Sequence, residues 1–171
     1  MRIVLGIAVL LLLVVAASCQ QAARKAAEGT AERAIETASE GKVSADISGD
    51  TMKITDKETG RESVVKTGQG MPEGWPASLP QYPGSTVVSS VAADTPEGEG
   101  FQVMLHTSDA PEAVAEFYLE KAEAAGYKKQ AEVSRPENVM IMFESADKSF
   151  MVNVMPAEDG CDVTLHLGSK N

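Results

Sequence analysis

Apolar and polar residues alternate along much of this chain from Lys42 onward, and in a strand such alternation sends successive side chains to opposite faces of a sheet. In residues 42–68, "KVSADISGDTMKITDKETGRESVVKTG", Val43, Ala45 and Ile47 alternate with polar neighbours, as do Met52 and Ile54. Gly49-Asp50 and Thr59-Gly60 supply turns, so the segment predicts a small three-stranded β-meander. Further strands are predicted in "STVVSSVAA" (85–93), "FQVMLHT" (101–107), "YKKQAEVS", "VMIMFES", "SFMVNVM" and "CDVTLHL". Between the second and third of these the period becomes helical: Val114, Phe117, Tyr118, Ala122 and Ala125 form one stripe. Asp109 and Glu112 have the spacing of a capping box, and Gly126 ends the run, which predicts a helix from about Ala110 to Ala125. The expected fold class is α+β, an antiparallel sheet of about five to six strands with one helix packed on one face.

Two segments break these periods. Residues 69–84 place Pro72, Pro76, Pro80 and Pro83 close together, and proline removes backbone donors and favours extended chain. With Trp75, Leu79 and Tyr82 spaced along it, this stretch is expected to be a strap laid over the main domain. Residues 20–40 are rich in alanine and charge, and Ile35 is their one large apolar side chain. They predict a partly helical tether, interrupted at Gly29, without a face worth burying.

At the N-terminus a lone basic residue, Arg2, precedes an apolar run from Ile3 to Ala17, the layout of a secretory signal. The run falls short of the about 20 apolar residues that a membrane span needs. Ala16, Ala17 and Ser18 directly before Cys19 resemble the lipobox of bacterial lipoproteins. The resemblance implies that the Cys19 thiol is diacylated, that the peptide is cut before it and that the new amino terminus is acylated. The protein would then be held to a membrane by its N-terminal lipid. An aspartate after the cysteine favours inner-membrane retention in that family; Gln20 stands there, which implies the outer membrane, facing the periplasm. The expected organisation is a signal peptide at 1–18, a tether at 19–41, the meander at 42–68, the strap at 69–84 and an α+β domain at 85–171.

Charge and cysteine content narrow the chemistry. There are 25 acidic and 15 basic residues, a net charge of −10, which argues against nucleic acid as a partner because that needs a cationic patch. With Cys19 acylated, Cys161 is the only thiol left, so the fold is expected to stand without an internal disulfide. Asp46, Asp50 and Asp56 lack the spacing of a calcium loop and are expected to be solvated turn residues.

Strand periodicity divides the main sheet into two unlike faces. Phe101, Val103, Leu105, Val139, Ile141, Phe143, Phe150, Val152, Val154, Cys161, Val163, Leu165 and Leu167 share one, expected under the helix. The other carries Met104, His106, Met140, Met142, Met151, Met155 and His166, together with Glu144, Asn153, Asp162 and Thr164. Five of the eight methionines fall here, too apolar for an ordinary wet face. Three readings compete. The strap or the meander covers the face, with methionine filling gaps; the face docks a protein or an apolar ligand; or its thioethers and imidazoles take a soft metal such as monovalent copper. No nucleophile elbow, zinc-binding His-Glu-x-x-His or phosphate-cradling glycine loop is present, so no catalytic residue, metal or cofactor is expected.

The segments "LPQYPGSTVV" and "TSDAPEAVAEFYLEKAEAAGY" look like a pattern met in small secreted or lipid-anchored bacterial proteins of unassigned function. That resemblance implies a strand lead-in and a core helix, with Phe117 and Tyr118 as packing residues, and no activity. The expectation is a non-enzymatic envelope lipoprotein that binds another envelope protein through its α+β domain, the alternative being a carrier of a small molecule or copper.

Overall fold

The computed structural model describes residues 23–96 and 98–169. After helix α1 (23–38) come strands β1 (Val43–Ser48), β2 (Thr51–Asp56), β3 (Glu62–Thr67), β4 (Thr86–Thr95) and β5 (Gly98–Thr107). Helix α2 (Pro111–Ala124) leads to β6 (Lys128–Arg135), β7 (Asn138–Glu144), β8 (Lys148–Ala157) and β9 (Gly160–Ser169). All nine strands form one antiparallel sheet in the order β1-β2-β3-β4-β5-β9-β8-β7-β6. The chain builds five strands outward to β5, carries α2 across one face to the far edge, and returns strand by strand until β9 pairs with β5.

This corrects the expected sheet of five to six strands with one helix. The six strands of the C-terminal region form as the periodicity predicts, but the meander is not a separate unit. Its β3 pairs with β4 from Ser63↔Ala93 to Thr67↔Ser89, filling an edge that would otherwise expose unpaired backbone groups. Three short strands with few apolar residues are marginal alone, and annexation to a larger sheet resolves that.

The tether is also corrected. Residues 23–38 are continuously helical through Gly29, and the helix lies along the outer edge of β1. Glu32 Oε1 accepts a hydrogen bond from the Ile47 amide at 2.7 Å, and Glu28 Oε1 accepts one from the Gly49 amide at 3.1 Å. Glu36 adds an ion pair to Lys57. Two carboxylates one turn apart thus occupy one donor of the edge strand and one of the turn that follows it.

The core follows its predicted face closely. Leu105, Phe143, Phe150, Val152, Val154, Cys161, Val163 and Leu165 are essentially inaccessible, and α2 contributes Val114, Tyr118 and Ala122. Helix α2 packs on β6, β7 and β8. The capping box does not form: Ala110 is the N-cap without a side-chain bond, and Asp109 Oδ2 instead accepts from Tyr82 Oη at 2.7 Å. Pro111 at the first helical position removes a donor that a cap would have served.

The strap is folded by successive turns. Trp75, Leu79 and Ser85 each donate a backbone bond to the residue three before, and Gly74 and Gly84 take positive φ at the third position of their turns. Leu79 is fully buried and Tyr82 nearly so. The Trp75 ring meets Phe101 and Phe150 edge-on at 6.1 and 6.4 Å, while its Nε1 donates to the Leu79 carbonyl. The strap therefore completes the helix-side layer.

Candidate functional site

Because the strap and α2 share one face, the opposite face of β4–β9 has neither over it. This decides the first of the three readings: the strap lies on the far side of the sheet from the methionines, and the meander extends the sheet sideways. Met142 keeps 45% of its surface and Met155 36%, while Met104, His106, Met140, Met151 and His166 are partly exposed.

The register organises this face into rows. One row takes a single residue from every strand: Ile47, Met52, Val65, Val91, Gln102, His166, Met151, Met142 and Ala131 are successive cross-strand partners. The meander's apolar side chains thus continue the open face, and its opposite side carries Asp46, Lys53 and Lys66. The next row toward the β4–β5 turn is small: Ala93, Gly100, Gly168 and Ser149. Where the two rows meet, the face is hollowed.

The hollow has a volume of about 530 Å³, and its lining includes Val91, Gln102, Met142, Met151 and His166 around Gly100 and Gly168. Nothing lies within 4 Å of where a Cβ on Gly168 would stand, so the missing side chain is open space. The β6 strand is irregular between Lys129 and Ala131, and Gln130 lies on the rim. Glu144 is the one charged side chain of the lining among the described residues.

Of the seven residues singled out by sequence, the hollow gathers Met142, Met151 and His166. Met104 stands in the row beyond, beside Ser89 and Thr164, and Met140 pairs with Asn153 and Val133. His106 and Met155 flank Asp162 still further along. There His106 Nδ1 is 2.9 Å from Asp162 Oδ1, and its Nε2 is 3.8 Å from Asp159. The two histidines serve different surroundings, and Asp162 partners His106 and not His166. Burial holds the His166 imidazole below its ordinary pKa, which favours the neutral ring.

Pattern reading missed Gln102, Gly100 and Gly168. A glycine inside a strand signals close approach of a ligand or another backbone, and two of them on one face marked the hollow. Cys161 is fully buried, and burial raises its thiol pKa, as suits a packing residue. Cys19 lies outside the described residues. Among those described, no helix is long and apolar enough to cross a membrane, and no three His, Cys, Asp or Glu side chains gather as a metal-binding group.

A START domain-like family matches residues 86–160, under half of the chain, from β4 to the start of β9. The START domain-like fold is a helix-grip, and the matched span contains α2 with five of the strands around it. No characterised relative and no solved structure matches the chain.

Proposed function

We propose that this chain is a lipid-anchored, non-enzymatic envelope protein whose sheet binds an apolar small molecule in the hollow of its open face. The observation that carries the reading is the hollow itself. Its volume lies within the about 300–1,000 Å³ of ordinary ligand sites, and an apolar lining with a few polar groups is their usual composition. The START domain-like match hints at ligand binding and covers most of the lining residues. The address rests on Cys19: acylation there would keep the domain at a membrane surface, and Gln20 favours the outer membrane facing the periplasm.

The test is a titration of the uncharged dye nile red into the native chain and into Gly168→Leu, whose Cβ would stand in open space and whose side chain would occupy the hollow. Saturable binding lost in the variant supports the reading; equal binding by both excludes the hollow. For the address, Cys19→Ala should abolish acyl labelling and release the protein from membranes.

A second reading, docking of an envelope protein, is favoured by the apolar row continuing past the hollow to Val65, Met52 and Ile47. A photoreactive side chain at Met52 would then give an intermolecular adduct in cells.

A further inference from the structure

Nine cross-strand partners span the open face in one row, and seven are Ile, Met, Val or Ala. The two exceptions, Gln102 and His166, are adjacent and stand in the hollow. Directly opposed residues of an antiparallel pair have Cβ atoms about 5 Å apart, so the carboxamide and the imidazole can address one small group together. Neither side chain has a hydrogen bond to any described residue. Two partly exposed polar side chains, side by side in an apolar floor and without a bond to any described residue, are free to exchange water for the polar group of a ligand.

Their chemistry restricts the ligand. A carboxamide offers two donors and an acceptor, and a neutral imidazole one of each. Together they suit a group that gives and receives a hydrogen bond, such as a hydroxyl or an amide. Among the described residues no cation lines the hollow to neutralise an anion, and the lining carboxylate among them, Glu144, stands opposite Lys128 in the ladder and in the neighbouring row. Met151 and Met142 continue on one side of the pair and Val91 on the other, giving an aliphatic body two directions to lie in. Flexible thioether side chains adapt to such a body without a fixed shape.

Resting on the ligand-binding reading above, we propose that the hollow selects an uncharged amphiphile, an aliphatic molecule whose hydroxyl or amide is held between Gln102 and His166.

The experiment uses the full chain carrying Cys19→Ala, with bound nile red displaced by 1-octanol, octanoate or octylammonium. Octanol should displace the dye at about ten-fold lower concentration than either ion, the worth of one to two well-made hydrogen bonds. The Gln102→Leu/His166→Leu protein should still bind dye yet lose that advantage, and His166→Gln, which keeps a donor and an acceptor, should retain part of it. Dye binding without head-group preference, or a preference unchanged in the double variant, overturns this inference and leaves the hollow as a general apolar site. No dye binding by the unaltered face removes both readings.

Discussion

Gln102 on β5 and His166 on β9 are direct partners in the antiparallel ladder, the two polar members of an otherwise apolar row that crosses all nine strands. This position partly buries the His166 ring. Burial lowers its pKa below the ordinary 6.5, so between the folded and unfolded values the unfolded chain binds more protons. The stability contributed by the neutral ring is complete above 6.5 and is lost as pH falls toward the folded pKa. An NMR titration should place the His166 midpoint below 6.5, and a midpoint at or above it would contradict the burial of the ring.

The strap belongs to the core, and the open face does not. Leu79 is fully buried, so Leu79→Ala should cost about 3 kcal/mol through lost burial and an incompletely collapsed cavity. Met155→Ala on the open face should cost under about 0.5 kcal/mol. Denaturant unfolding of both variants checks this, and equal losses would mean that the open face is covered.

Two hydroxyls are buried without a well-aligned hydrogen bond among the described residues, those of Ser90 and of Tyr118, the latter beside the Tyr82 backbone. Burial also drives the Tyr118 phenol pKa far upward. Removing an unsatisfied polar group leaves the surrounding packing in place, so Tyr118→Phe and Ser90→Ala should each be neutral or stabilising by up to about 1 kcal/mol. A loss above about 1 kcal/mol would show that the hydroxyl has a bonding partner such as ordered water.

Helix α1 guards the edge strand through its carboxylates. Glu32→Ala should speed hydrogen exchange at the Ile47 amide, which Glu32 accepts at 2.7 Å, while amides in β8 stay unchanged. Equal exchange at Ile47 in both proteins would mean that α1 does not hold this edge.

The core was legible because period-2 alternation is strong in β5, β7, β8 and β9: every member of their apolar set is buried except Val139, which is partly so. The stripe of α2 was legible from its helical period, with Val114, Tyr118 and Ala122 buried and Phe117 and Ala125 partly so. What escaped detection depended on contacts between distant segments. That β3 joins β4 is a choice of partner edge, and alternation within β3 carries no record of it. Residues 23–38 lack an apolar stripe because α1 docks through Glu28 and Glu32, acceptors for backbone donors that sequence patterns do not display. Asp109 and Glu112 had the right spacing for a cap, yet the Tyr82 hydroxyl took the aspartate. The methionine face was identifiable by alternation, whereas the hollow needed the cross-strand register that brings Gly100 and Gly168 beside Gln102 and His166.

The central claim, that the hollow of the open face holds an apolar ligand, is tested most directly by methyl NMR of ¹³C-methionine-labelled protein titrated with 1-octanol. The Met142 and Met151 methyl signals should shift in a saturable way while those of Met104 and Met155 stay in place, and Gly168→Leu should abolish the shifts. Uniform shifts across all four methionines, or none at Met142 and Met151, would contradict it.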